Sequence, residues 1–337
     1  HLDGGDYFGL GCCPAGWDVD YWYDMRCYLN ELNEEQRRRS RQPEESYQPD
    51  FSEGFTYAHR CSDRAIKFLE QYKEEDFFLT VSYDEPHGPS LCPAPYNTMY
   101  KDFKFESSAK FTDTLDNKPL MQRLWAGDRL TEDESQINQS SDGLALFLGC
   151  NSYVDYEIGR VLNVIKEKLP NAMIIYTSDH GDMLGDHYHW RKTYPYEGSA
   201  HIPYIVKWPA GISKSIPDGS SIEQPVELRD FLPTFIDIAG GSVPPDMDGR
   251  SLLKLIQGQQ EQWRPYIDME HATCYSDDNY WAALTDGKIK YIWNFHNGSE
   301  QLFDLREDPG ETHNLSEDTA YQNKLSELRK MMVEHLS

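Results

Sequence analysis

Asp179 and His180 stand side by side in the stretch MIIYTSDHGDMLGDH, residues 173–187, directly after an apolar run, with Asp182, Asp186 and His187 close behind. A carboxylate oxygen and an imidazole nitrogen can share one divalent cation, and neighbouring positions at a strand end hold both near a sheet edge, where open α/β sheets gather their ligands. The same pair also reads as a carboxylate capping the next turn beside a surface histidine. A second polar cluster, Asp84-Glu85-Pro86-His87, follows the apolar run FFLTVSY of residues 77–83. His87 has the side chain for proton transfer near neutral pH, or is a loop histidine satisfied by backbone. Lys192, between Arg191 and Thr193, is either a solvated turn lysine or a cationic contact for an anion. His187 and His189 read as surface groups or, for His187, as a group orienting Asp179.

Such cationic groups matter because the chain as a whole is strongly acidic. With 32 Lys and Arg against 57 Asp and Glu, its formal net charge is −25, and the basic residues are scattered. That field repels nucleic acid, so a nucleic-acid partner is excluded, and any small anionic substrate needs a local positive pocket built from side chains or a metal ion. No apolar run approaches the ~20 residues that span a bilayer, which excludes a membrane-spanning partner role. Seven cysteines without a C-x-x-C or a short repeat argue against a disulfide scaffold, and Cys12, Cys13 and Cys27 lack the fourth ligand of a zinc site.

The elements that must position these groups alternate in type. Ala65, Phe68, Leu69 and Tyr72 recur at the helical period, and Val154, Ile158, Val161, Leu162 and Ile165 line a second helix running to about Leu169. Residues 77–83 and 172–178 read as buried strands ending in the two polar clusters, and Tyr204 to Lys207 as another strand. Residues 226–239 read as a helix closed by Gly240-Gly241. Residues 30–53 form a charged excursion with a short helix, and 90–142 a long loop region suited to substrate contact. After Leu253 the pattern changes to short strands at 265–270, 280–285, 289–295 and 301–305, with Asp286-Gly287 and Asn297-Gly298 at hairpin turns and a helix near 319–335. The expected architecture is α/β, with a mostly parallel central sheet flanked by helices over residues 1–258 and a small antiparallel α+β subdomain over 259–337.

The segments WRKTYPYE (190–197) and IPYIVKWP (202–209), with SDHG before them and DLREDPGETHNL (304–315) near the end, resemble the formylglycine-dependent sulfatases of the alkaline phosphatase superfamily. Asp230-Phe231-Leu232-Pro233-Thr234 and Asp248-Gly249-Arg250-Ser251-Leu252 are similar to further blocks of that family, and the opening HLDGGDYFG resembles its YidJ-type bacterial branch. The resemblance implies an alkaline-phosphatase-like fold and hydrolysis of a small anionic sulfate ester. It assigns Asp179 and His180 to a divalent cation, usually calcium, and Lys192 to the sulfate oxygens. It makes His87 the group that protonates the leaving oxygen and His1 the base that releases sulfate. Phosphonate monoester or phosphodiester hydrolysis is the alternative among the superfamily's enzymes, and a sulfatase-fold binding protein that has lost catalysis is the non-enzymatic alternative.

The family's nucleophile motif, C/S-x-P-x-R, is not in these 337 residues: Cys13 precedes Pro14 directly and Cys92 precedes Pro93. The resemblance therefore implies a formylglycine-bearing segment ahead of His1. The expected location is the cytoplasm, with the periplasm as the alternative, and no oligomeric state is implied.

Overall fold

The computed structural model describes residues 11–103, 113–127, 141–215, 217–259, 263–273 and 279–336. His1, the expected base, lies outside the described residues, as does Cys274. In chain order the helices are α1 (Met25–Glu31), α2 (Glu34–Arg39), α3 (Tyr57–Tyr72), α4 (Leu120–Ala126), α5 (Ser141–Lys168), α6 (Glu197–Ala200), α7 (Phe231–Ile238), α8 (Leu252–Ile256) and α9 (Gln322–Leu336). The strands are β1 (Ile174–Thr177), β2 (Tyr204–Lys207), β3 (Ile267–His271), β4 (Trp281–Thr285), β5 (Ile289–Asn294) and β6 (Glu300–Asp304). The chain divides into two compact units, residues 1–106, 133–173 and 207–209 in the first and 107–132, 174–206 and 210–337 in the second.

The first unit is built on α3 and α5. Thr56 starts α3 by accepting from His59 N, and the helix buries Ala58, Cys61, Ser62, Ala65, Phe68 and Leu69, one stripe at the 3.6-residue spacing. Leu146, Cys150, Tyr153, Val154 and Val161 of α5 are buried in the same clusters. Thr56 Oγ1 and Tyr153 OH, 2.7 Å apart, and Ser62 Oγ donating to Glu157 O at 3.2 Å tie the polar edges of this contact.

Residues 77–83 differ from expectation. They carry no strand assignment, and burial alternates strictly along them, with Phe77, Leu79, Val81 and Tyr83 half-buried and Phe78, Thr80 and Ser82 exposed. One face of this extended segment packs on α3 and α5, so the period of two is present while burial is one-sided. β1 is likewise less buried than its apolar sequence suggests: Tyr176 is 44% exposed, and Ile205 on the paired β2 is 62% exposed. Among the described residues this sheet has two strands.

In the second unit, β3–β4–β5–β6 form an antiparallel sheet in sequential order, with Trp281 opposite Asn294 and Ile289 opposite Asp304. The turns are those expected, and Gly287 and Gly298 take the left-handed φ of +80° and +68° that such hairpins require. One face of the sheet, with Ala282, Leu284, Tyr291 and Leu302, receives Leu325, Leu328 and Met332 of α9. The other face, with Trp281, Ala283, Ile292 and Phe303, packs on Met183 and Tyr196. Burial on both sides explains why every residue of β4 is buried. It also places residues 259–337 in one unit with 174–206, a division different from the expected cut after 258.

Candidate active site

β1 delivers Asp179 and His180 two and three residues beyond its end. His180 Nδ1 lies 2.7 Å from Gly181 O, and because a carbonyl oxygen only accepts, the ring proton sits on Nδ1. The other ring nitrogen, Nε2, lies 3.6 Å from Asp179 Oδ2. That donor set, one carboxylate oxygen and one imidazole nitrogen, fits a divalent cation at bond lengths of ~2.0–2.5 Å. The turn is held by Ser178 Oγ donating to His180 O at 2.7 Å and His180 N donating to Asp179 Oδ1 at 3.0 Å. Among the described residues, the groupings of three metal-competent side chains lie elsewhere, at Glu53, His59 and Glu157 and at Asp268, Glu270 and His335.

Gly181 is where this turn meets α6. Its N–H donates to Ser199 O at 2.8 Å, and a Cβ at residue 181 would overlap the carbonyl of Gly198. Gly181→Ala must push the turn off α6 and is expected to cost ~1–3 kcal/mol as an overpacking substitution. Urea denaturation of the variant checks this; an unchanged midpoint would show that the turn accommodates the methyl.

The loop that follows is pinned at both ends by one carboxylate: Asp182 Oδ1 accepts from Leu184 N and Arg191 N, 2.9 Å each. Met183 N donates to Arg191 O and Gly185 N to His189 O, 2.8 Å each, closing a narrow loop. Leu184, His187, Tyr188, Arg191 and Thr193 all take left-handed φ, from 46° to 86°. Each such non-glycine residue costs ~1–2 kcal/mol, and strain of this kind concentrates at working sites. Lys192 is half-buried between two of them. Its neighbour Thr193 is fixed by Asn279 Nδ2 donating to its Oγ1 and Trp281 Nε1 donating to its carbonyl, 3.0 Å each.

His187 is fully buried, and its Nδ1 lies 2.7 Å from Asp113 Oδ2. The expected orienting contact with Asp179 is therefore replaced by one with Asp113, because the left-handed backbone at His187 turns the ring inward onto Tyr196, 4.8 Å between centroids. His87 lies in the first unit, exposed, with its Nδ1 2.9 Å from Gly88 O. Its loop is anchored by Glu85 Oε1, which accepts from Ala58 N in the first turn of α3 at 3.0 Å.

Sequence reasoning missed the groups that hold this site from behind. Lys290 Nζ, on a side chain with no exposure, lies 2.6 Å from Glu197 Oε1 and 2.7 Å from Glu311 Oε1. Glu311 Oε2 accepts from Glu197 N at 2.7 Å, fastening the start of α6. Lys118, also buried, donates to Glu311 O and lies 3.5 Å from Asp113 Oδ2. Burial pushes the Lys118 ammonium down from its ordinary range despite Asp113 and Glu311. Burial alone would raise Asp113, but the His187 hydrogen bond and Lys118 leave it below the usual carboxylate range.

Glu197 shows the same contest most strongly. Burial raises it, yet the His201 hydrogen bond and Lys290 hold its carboxyl at about 2, against an ordinary 4.5. A depressed folded value means the unfolded chain binds the proton first as pH falls. The contribution of Glu197 is thus complete above pH about 4.5 and is lost between there and about 2. Denaturation midpoints between pH 6 and pH 3 should fall steeply for the natural protein and less steeply for Glu197→Gln; equal slopes would refute the assignment.

The phosphonate monoester hydrolase SpPMH from Silicibacter pomeroyi superposes with a TM-score of 0.70 at 26% identity, over 85% of this chain and 60% of that one. The architecture is thus the α/β, alkaline-phosphatase-like one, carrying a small antiparallel sheet in its C-terminal region. The Sulfatase family model matches residues 14–242, and the model for N-sulphoglucosamine sulphohydrolase, C-terminal, matches 185–337. The chain is 36% identical to the uncharacterized sulfatase YidJ of Escherichia coli (strain K12), over 100% of this chain and 67% of that protein. It is 33% identical to the arylsulfatase of Clostridium perfringens (strain 13 / Type A), over 81% of this chain and 56% of that protein. The chain belongs to the sulfatase family, and it spans between about half and two thirds of the length of these relatives.

Proposed function

We propose that this chain carries the cation-binding and anion-binding half of a sulfate-ester hydrolase, acting on a small anionic substrate. The observation that carries the reading is the Asp179 carboxylate and His180 imidazole facing one another at 3.6 Å beyond the end of β1. Bound there, a divalent cation would polarise the sulfuryl group, and a formylglycine would supply the nucleophile, as the family resemblance implies. Asp179 and His180 would hold the cation between carboxylate and imidazole. Lys192, on its pre-wound loop, neutralises a sulfuryl oxygen, an electrostatic role that dominates transfers of this type. His87 gives its proton to the departing oxygen and His1 accepts one in sulfate release. Calcium is the ion the resemblance implies, while the imidazole donor is equally at home on a transition metal.

Turnover of an aryl sulfate and a matched aryl phosphonate by the intact protein tests this, with chelator and with calcium or manganese restored. The sulfate should be preferred, and chelation should abolish the rate. A large preference for the phosphonate would move the protein to the other hydrolase class of the superfamily. Absence of any metal-dependent turnover, with Asp179→Asn binding calcium as well as the natural protein does, would sink the reading.

A further inference from the structure

We propose that Cys92 and Cys150 form a disulfide that staples the His87 loop to α5. Both residues have no exposure and lie in one apolar cluster with Ala58, Leu146, Tyr153 and Val154. The two thiols lie near one another in this cluster, and Cys150 Sγ donates to Leu91 O, next to Cys92, at 3.5 Å. The approach is set by backbone. A Cβ at Gly149 would overlap the carbonyl of Tyr96 and lie 3.7 Å from Cys92 Sγ, so the helix and the 92–96 segment run in direct main-chain contact at this point. Cys92 is fixed on the loop side by its N–H, which donates to Ser46 Oγ at 3.1 Å. Thiols held together this way need little backbone movement to reach the short Cβ separation a disulfide demands.

The other cysteines among the described residues are differently placed. Cys12 is exposed, Cys13 and Cys27 are partly exposed, and Cys61 packs separately against Tyr28 and Tyr57. Solvent-facing thiols titrate and react with soluble oxidants, whereas the pair 92 and 150 is sealed once the chain has folded. Its oxidation therefore belongs to folding in an oxidising compartment. A thiol–disulfide oxidoreductase or a small-molecule disulfide supplies the electron acceptor. Two S–H bonds break, one S–S bond forms between Cys92 and Cys150, and the oxidant's own S–S bond takes the two electrons and two protons to leave two thiols. The closed loop runs from Cys92 to Cys150 and contains the whole of α4, with His87 just ahead of it in the chain, so the cross-link removes a long stretch of freedom from the unfolded chain.

The test uses the intact protein produced in an oxidising host compartment, alkylated without reduction and mapped by proteolysis and mass spectrometry. The expected result is a peptide pair joined through Cys92 and Cys150 in most molecules, absent after reduction. The linked form should also melt roughly 5 °C above the protein made under reducing conditions. A Cys150→Ala variant made the same way should lack both the linked pair and the melting difference. Recovery of alkylated, unlinked Cys92 and Cys150 from the natural protein, or of Cys92 joined to another cysteine, overturns the proposal whether or not the variant folds.

Discussion

If Asp179 helps hold a cation as proposed, Asp179→Asn is expected to lower sulfate-ester turnover by about 10³-fold, with the folded state intact, the scale lost when a preorganised oxyanion donor is removed. Asn keeps an acceptor oxygen for the His180 N–H that now lies 3.0 Å from Asp179 Oδ1, so the turn can persist while the negative charge disappears. The loss should appear in kcat and in cation affinity together. Calorimetric titration with calcium provides the second reading and does not depend on turnover. His180→Ala should act in the same direction, and the two substitutions combined should cost much less than their sum, as expected for groups that share one ion. Independent, additive losses would place the two residues in separate roles.

Glu311→Leu should be the most destabilising single change away from the candidate site, by about 3–5 kcal/mol, the usual penalty for stripping one partner from a buried ion pair. It leaves Lys290 with Glu197 alone in a place without solvent and removes the acceptor of the Glu197 N–H at the start of α6. The double variant Lys290→Met, Glu311→Leu should recover part of the loss, since it also removes the buried ammonium that has lost its second carboxylate. Denaturant midpoints of the two singles and the double close the cycle. A double variant as unstable as the sum of the singles would show that the pair contributes through packing and not through charge.

Much of the fold was legible in local pattern. Residues 204–207 were read as a strand and are one, and both hairpin turns of the C-terminal sheet follow from Asp286-Gly287 and Asn297-Gly298. The helix expected from Val154 onward begins at Ser141. Its first half was hidden because Gly143 and Gly149 depress helix propensity, and Gly149 is there for the Tyr96 carbonyl and not for the helix. Residues 77–83 misled in the opposite way: an apolar string signals burial without saying how many faces are covered.

In the candidate site, the juxtaposition of Asp179 and His180 is legible in the sequence because the two residues are neighbours in the chain. The supporting network was not. Asp113, Lys118, Glu197, Lys290 and Glu311 each look like a surface charge in their own segment, and only tertiary closure pairs them away from water. His187 was read through its proximity in sequence to Asp179, whereas its partner comes from 74 residues away.

The left-handed run around Lys192 has one more implication. Glycine at Arg191 or Thr193 would relax the backbone, yet this chain keeps side chains in both places, where φ is 71° and 86°. In the anion-binding role proposed for Lys192, a relaxed loop would have to be ordered on meeting the anion, and that ordering would subtract from affinity. With the tension built in during folding, the backbone that carries Lys192 is fixed beforehand, and stability has been exchanged for that order.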